Sequence, residues 1–420
     1  VKTVVIMGQG YVGLPLAMAA AEAGYKTIGF EPDKQRCDQL ATGTSYIEDI
    51  PNDTLLRRIE EGLYEPTLDD RDLIGFDIAV ITVPTPLTKG VPDLSYVRAA
   101  VQQVALYLTP GATVILESTV SPGTTRREVI PILENASDLT AGVDFHVGYS
   151  PERIDPGNRQ WTFKNTPKIV SGLTLDCLAK ALEFYSSITT HIVPADTLDA
   201  AELAKVFENT YRQVNIALVN EFQRHAHQLS VDVGHVLDLA ATKPFGFTKF
   251  TPGPGVGGHC IPCDPVYLTD HLRREHGARF QLVELAQDIN EGQPAYVVRR
   301  LQDALSQRFG TALKGAQILA LGQSYKPDTA DMRESPAVEV VELLRQAGAR
   351  VTVVDPHFAE DDIDQLREIP NRHDLNVEGY DAVVLLTPHA AFDLQHVATY
   401  ATYVLDTRGV MPTAPNIERL

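Results

Sequence analysis

One pattern occurs twice in this chain, and its repetition restricts the fold more than any other feature. Residues 3–7, Thr-Val-Val-Ile-Met, read as a short buried strand running into Gly8-Gln-Gly-Tyr-Val-Gly13. An Ala-rich helix from about Leu14 to Gly24 follows, then a second strand, Lys26-Thr-Ile-Gly-Phe30, closed by Glu31. Far downstream, Gln317-Ile-Leu-Ala-Leu321 leads into Gly322-Gln-Ser-Tyr-Lys326. Ser335 and Pro336 open a helix reaching about Ala347, and the strand from Arg350 to Val354 ends in Asp355. Gly24 to Glu31 and Gly348 to Asp355 are both steps of seven, as are Asp77 to Pro84 and Asp381 to Pro388. An echo of spacing at this level is an echo of architecture. The order strand, glycine turn, helix, strand, acid is that of a nucleotide-binding half, so the expected class is α/β with two Rossmann-like parallel-sheet domains.

Two further strands belong to the first half. Ile78 to Val83 ends in Thr-Val-Pro-Thr-Pro86, and Thr113 to Glu117 ends in Ser-Thr-Val-Ser-Pro-Gly-Thr-Thr125. The polar loops after them lie at carboxyl ends of strands, where such sheets bind ligands. From about Leu198 to Leu229 the pattern turns helical, with Leu203, Val206, Phe207, Thr210, Val214, Ala217, Leu218 and Phe222 at roughly helical spacing. Helical pattern continues over Val231 to Ala241 and Ala278 to Phe309, around the Gly/Pro-rich stretch Pro252 to Asp264. The expected division is a nucleotide-binding domain at 1–197, a long central helix with a helical connector domain at 198–310, and a second Rossmann-like domain at 311–420. A helix of this length commonly spans between domains or packs on its copy in a dimer.

Composition excludes several classes. At 420 residues, 44% apolar and 22% charged, the chain reads as a globular protein of more than one domain. No apolar run approaches the roughly 18 residues of a membrane span, and the first strand reads as core rather than as a cleavable leader, so a cytoplasmic enzyme is expected. A net charge of -19 argues against nucleic acid as a partner while leaving room for small anionic ligands held by a few local donors. The four cysteines, Cys37, Cys177, Cys260 and Cys263, are too few for a disulfide framework.

Three groups of residues carry chemistry. Gly8, Gly10 and Gly13 supply a tight turn, a close approach of backbone to pyrophosphate and close helix packing, with the anion at a helix N-terminus. Glu31 would accept from ribose hydroxyls and repel a 2′-phosphate, which favours NAD over NADP; as a bland alternative it is a solvated acid at a strand end. Lys205 and Asn209 stand four apart on one helix face, where an ammonium and a carboxamide can hold a hydroxyl and steady the alkoxide formed as hydride leaves. A surface lysine near a core asparagine is the structural alternative. Cys260 sits in a loop with Gly253, Gly255, Gly257 and Gly258, beside Asp264, and a thiolate there can trap an aldehyde as a thiohemiacetal. Cys260 and Cys263 also form a CxxC. Zinc would need two more ligands, for which His259 and His271 exist, and no metal site is expected; a thiol–disulfide pair is the other reading.

The chain resembles the UDP-glucose/GDP-mannose dehydrogenase family over essentially its whole length. The matching segments are Gly8-Gln-Gly-Tyr-Val-Gly-Leu-Pro15, Thr82-Val-Pro-Thr-Pro86, Glu117 to Thr125, Ser150-Pro-Glu-Arg153, the Lys205/Asn209 helix, Pro252 to Asp264, and Tyr325 to Pro336. Thr242-Lys-Pro-Phe-Gly-Phe247 before the Cys260 loop looks most like the bacterial branch acting on UDP-N-acetylhexosamines. The resemblance implies a four-electron oxidation of a sugar C6 alcohol to the uronate with NAD, through a thiohemiacetal and thioester on Cys260. It implies oxyanion stabilisation by Lys205, positioning of substrate and water by Asn209, Asp264 and Thr119, and Glu152 beside the sugar. Cofactor contacts are expected at Gly8, Gly10, Tyr11, Val12, Gly13, Glu31, Arg36, Pro84, Thr85, Ser118, Thr119 and Arg333. Substrate contacts are expected at Glu152, Arg153, Lys205, Asn209, Phe250, Gly253, Gly257 and Lys326. The expected partner is a nucleotide sugar, and the expected assembly a homodimer or higher homo-oligomer.

Two positions depart from the family pattern. Many members carry a second glutamate four residues beyond the one matching Glu152, where this chain has Pro156 beside Asp155. Glucose-type members often have lysine three residues after the nucleophile, where this chain has Cys263. UDP-glucose or dTDP-glucose are alternative substrates. Two readings lie outside that reaction: a one-step β-hydroxyacid dehydrogenase, which explains neither Cys260 nor the third domain, and a non-catalytic sensor of NAD or a nucleotide sugar.

Overall fold

A strand such as Val4-Val5-Ile6, wholly buried and without a polar side chain, needs cover on both faces, and a parallel sheet gets it from its crossover helices. The computed structural model describes every residue except 48, 156, 157, 159, 259, 359–365 and 368–374. The chain divides into two compact units, Val1–Glu208 with Val266–Ala278, and Asn209–Pro265 with Arg279–Leu420. The helical stretch expected as a middle domain contributes residues to both.

In the first unit, β1 (Thr3–Met7), β2 (Lys26–Phe30), β3 (Tyr64–Thr67), β4 (Ile78–Ile81), β5 (Thr113–Leu116), β6 (His146–Tyr149), β7 (Lys168–Gly172) and β8 (Ile192–Pro194) form one sheet. Its order is β8-β7-β6-β5-β4-β1-β2-β3. The order reverses between β1 and β4, so their carboxyl ends open a crevice there, and α1 (Gly13–Glu22) starts at that point. The expectation of a parallel sheet needs one correction: β7 runs antiparallel to β6, with Gly148 opposite Gly172. No helix lies among the described residues between these two strands, so none of them forms a crossover back to the parallel start.

The long helix forms as expected, as α2 (Leu198–Gln228), but its apolar residues are not all core. Val206 and Ala217 are buried, whereas Leu203, Phe207, Leu218 and Phe222 are exposed. A short helix, Val233–Ala241, follows. The helix α3 (Asp264–His276), directly after the cysteine loop, was not foreseen, and the expected run from Ala278 to Phe309 is two helices, α4 (Gln281–Glu291) and α5 (Gln293–Phe309). Gly292 and Pro294 make that break, since proline cannot supply the amide that would continue a helix.

The second unit holds β9 (Gln317–Leu321), α6 (Pro336–Gln346), β10 (Arg350–Val354), β11 (Leu366–Arg367), β12 (Ala382–Leu385), β13 (Val404–Asp406) and β14 (Ile417–Arg419). All pairings are parallel, in the order β11-β10-β9-β12-β13-β14, which repeats the topology of the first six strands of the other sheet. The repeat reaches individual hydrogen bonds. Thr3 N–H donates to Asp77 and Gln317 N–H to Asp381, both at 2.7 Å. Gly8 N–H donates to the Phe30 carbonyl and Gly322 N–H to that of Val354, both at 2.8 Å.

Candidate active site

The glycine turn of the first unit is shaped by what surrounds it. Gly8 has φ +91°, a conformation that side chains disfavour. A Cβ on Gly13 would lie 1.8 Å from the Gly8 carbonyl oxygen, whereas one on Gly10 would meet nothing within 4 Å. Thus Gly13 serves packing and Gly10 leaves open space. Val12 precedes α1 without any side-chain cap. Leu14 N–H donates to the Gly10 carbonyl at 3.1 Å and Pro15 has no N–H, so what this helix start offers an anion is the positive end of its dipole. Tyr11 and Val12 are half-buried in the turn.

Glu31 is buried, correcting the solvated alternative, and accepts from Gln9 N–H at 3.0 Å and Asp33 N–H at 3.1 Å. One bond per oxygen leaves each with a lone pair for a further donor. Its counterpart Asp355 differs: a single oxygen takes Gln323 N–H, Ser324 N–H, the Ser324 hydroxyl and His389 Nε2. Fourteen residues, 322–335, separate β9 from its helix, against five, 8–12, after β1. Only the first unit therefore keeps the compact turn and unsaturated acid that suit NAD.

The other expected cofactor residues cluster around the same strand ends. Ser118 Oγ donates to the Val83 carbonyl at 2.7 Å, and Tyr267 Oη donates to that of Thr85 at 3.0 Å, so the loops after β4 and β5 are tied within this unit. Ser118 and Thr85 are buried, Thr119 half-buried and Pro84 exposed. Arg36 is exposed, with its guanidinium 5.5 Å from the Tyr46 ring centre.

Glu152 and Lys205, both in the first unit, are 9% exposed. Lys168 Nζ donates to Glu152 at 3.0 Å and to Glu117 at 2.9 Å, and Tyr185 Oη donates to Glu117. Burial would push Glu152 up, but the Lys168 charge, its hydrogen bond and the Lys205 charge hold the carboxyl below its usual range. Arg153 is committed to the protein: its guanidinium pairs with Glu208 at 2.6 Å and donates to the Pro167 carbonyl at 2.8 Å. Lys168, Glu117 and Tyr185 escaped the sequence reading as site residues. The signal present was a charge set against wholly apolar strand residues, in Ile-Leu-Glu117 and Lys168-Ile-Val.

In the second unit Cys260 is exposed, and its carbonyl accepts from Cys263 N–H at 3.2 Å and Asp264 N–H at 2.8 Å. Helical hydrogen bonding thus begins at Cys260, placing it where the positive end of the α3 dipole favours a thiolate. Asp264 is 3% exposed and accepts from Asn209 Nδ2 at 2.5 Å. Cys263 is 5% exposed, and burial pushes its thiol up to about 12. That makes Cys263 a small buried hydrophobe at neutral pH. His259 and Pro156 lie outside the described residues.

The glycine loop before Cys260 packs closely against its own unit. A Cβ on Gly253 would lie 2.9 Å from Arg408, and one on Gly257 would lie 2.8 Å from Tyr325. These glycines let the loop approach its own unit closely. A buried carboxamide network holds it: Asn220 accepts from Gly253 N–H, and Gln293 donates to the Gly253 carbonyl, both at 3.0 Å. Phe250 meets Tyr211 edge-on at 5.8 Å between ring centres. Lys326 is half-buried beside Tyr325, and exposed Arg333 pairs with Asp331 at 2.6 Å.

Comparison with known proteins adds family and relatives. Residues 2–189, 199–292 and 319–413 match, in turn, the NAD binding, central and UDP binding domains of the UDP-glucose/GDP-mannose dehydrogenase family. The chain is 36% identical to the UDP-N-acetyl-D-mannosamine dehydrogenase of Pyrococcus horikoshii, over 93% of this chain and 90% of that protein. It is 33% identical to the UDP-N-acetyl-D-glucosamine 6-dehydrogenase of Salmonella typhi, over 99% and 98%. A solved structure of the Pyrococcus horikoshii UDP-D-ManNAc dehydrogenase matches with TM-score 0.90 at 33% identity, covering 100% of this chain and 99% of that one.

Proposed function

The chain belongs to the UDP-glucose/GDP-mannose dehydrogenase family of NAD-dependent nucleotide-sugar 6-dehydrogenases, and from that premise we propose that it converts a UDP-N-acetylhexosamine to its 6-uronate. Relatives acting on the mannosamine and glucosamine forms support that substrate class. The observation that carries the reaction is Cys260, an exposed thiol at the start of a helix, beside a buried carboxylate oriented by Asn209. A single oxidation has no need of it.

NAD supplies the oxidant: two molecules, bound in turn, would each accept one hydride from C6. The chain's residues do the rest. Lys205 donates to the oxygen at C6 and balances the charge that develops there as the alcohol loses its proton. The Cys260 thiolate adds to the aldehyde carbon, forming a C–S bond and a thiohemiacetal that keeps the aldehyde from escaping. Loss of the second hydride leaves a thioester, which water cleaves to the carboxylate and the free thiol. Asn209 and Asp264, with Thr119, orient the water and sugar, and Glu152 lies beside the ring. Gly8, Gly10, Gly13 and Glu31 receive the pyrophosphate and ribose. Phe250, Gly253, Gly257, Lys326 and residues 311–420 generally serve the nucleotide end of the substrate, and Arg333 reaches toward the cofactor. The apolar residues exposed on α2 support a homo-oligomer, and a catalytic thiol that must stay reduced supports a reducing cytoplasm. Among the described residues no helix is long and apolar enough to cross a membrane.

The test is NADH released per sugar over a panel of UDP-GlcNAc, UDP-ManNAc and UDP-glucose, with product mass. Two equivalents and a uronate from an N-acetylhexosamine are expected. One equivalent, or full activity in Cys260→Ala, refutes the double oxidation.

A further inference from the structure

Lys168 is the least expected charge in the first unit. Its side chain is 6% exposed, and its ammonium lies 5.4 Å from the Tyr185 ring centre and 5.8 Å from that of Phe163. One cation sealed in with two carboxylates carries a desolvation cost that apolar side chains of similar volume avoid. Stability alone gives no reason for it.

The geometry is directional. Glu152 Oε1 accepts from the N–H groups of Arg153 and Ile154, each at 2.5 Å, while its Oε2 accepts from Lys168 at 3.0 Å. Held through both oxygens, the carboxylate has one orientation. Glu117 is held likewise, by Lys168 on one oxygen and Tyr185 on the other. Lys168 therefore cannot swing away from Glu152 without abandoning a second buried acid.

We propose that Lys168 is a positioning residue for the oxidation, fixing Glu152 as an oriented carboxylate, with Glu117 and Tyr185 fixing Lys168 in turn. This rests on the assignment of Glu152 to the sugar site. The charge balance agrees with the geometry. Burial pushes Glu117 up to about 7, against the pull of Lys168, whereas Glu152, against its own burial, is held below its usual range by the same lysine, the Ile154 amide and the Lys205 charge. Of two acids sharing one cation, Glu152 is the one that stays ionised at neutral pH.

The experiment compares the native full chain with Lys168→Met, Lys168→Arg and the double variant Lys168→Met/Glu117→Gln. Two measurements are made against pH: kcat and KM with NAD and a UDP-N-acetylhexosamine, and the carboxyl titration of Glu152 by 13C NMR, assigned with Glu152→Gln. Without Lys168 the Glu152 pKa rises, so the acid limb of kcat is expected to move to higher pH by at least one unit, and the NMR titration with it. KM for NAD should stay put, and Lys168→Arg should return the limb. Lys168→Met strands two buried carboxylates; should it fail to fold, the double variant restores the native net charge of the cluster and must show the same shift. A Glu152 titration unmoved in the folded variant overturns the proposal. A native enzyme that reduces no NAD with these sugars refutes the proposed function instead, and the NMR titration still decides the role of Lys168.

Discussion

Asn209 donates to Oδ2 of Asp264 at 2.5 Å, joining the long helix to the first residue of the helix that begins after Cys260. Sequence places these two residues 55 positions apart, and only the fold makes them partners. The bond fixes the direction in which the carboxylate points.

Asp264→Asn retains shape but removes the charge, so kcat is expected to fall about 10²-fold or more while the Kd for NAD changes little. Stopped-flow kinetics with separate NAD titration checks it. An equal loss in both would assign Asp264 to folding rather than to turnover.

Glu31→Gln should narrow the preference for NAD over NADP, because the neutral amide no longer repels a 2′-phosphate. Binding of both cofactors by fluorescence measures the ratio, expected to shift by about tenfold, or roughly 1.4 kcal/mol. A ratio that stays the same would place the ribose contact elsewhere.

Gly13→Ala sets a methyl where 1.8 Å separates it from the Gly8 carbonyl oxygen. Overpacking of this kind costs about 1–3 kcal/mol, so a lower Tm and weaker NAD binding are expected together. Gly10→Ala, with nothing within 4 Å, should leave Tm nearly unchanged and disturb NAD alone.

Asp355 gives the pH dependence of stability a defined window. Burial would raise its pKa, but His389 and backbone N–H groups outweigh that and hold it at about 2. A depressed carboxyl stabilises the fold above its unfolded pKa, and that contribution, about 2 kcal/mol, is lost as pH falls from about 4 toward 2. Acid denaturation of Asp355→Asn should lack this part of the curve. An identical acid transition in the variant would show that Asp355 does not drive it.

Much of the fold is legible in the chain because it rests on local rules. A glycine with positive φ, an acid at a strand end and an apolar run each act within a few residues, and their recurrence at the same spacing announced two sheets of like topology. Even the paired aspartates, Asp77 and Asp381, proved to cap equivalent strand starts. The reversal of β7 was not legible, because it depends on a connection whose described residues form no helix. Nor was the break at Gly292, since helical periodicity continues on both sides of it.

The sequence by itself determined the chemistry available: a dinucleotide turn, a thiol in a glycine loop, a lysine and an asparagine one helical turn apart. These depend on residue type and short spacing. Tertiary structure decided how those groups are charged and aimed. Burial raised the Cys263 thiol and the Glu117 carboxyl, while Lys168, brought to Glu152 from a strand distant in sequence, lowered that carboxyl. A pKa depends on solvent exclusion and on charges within a few ångströms, and both are properties of three-dimensional packing rather than of position along the chain.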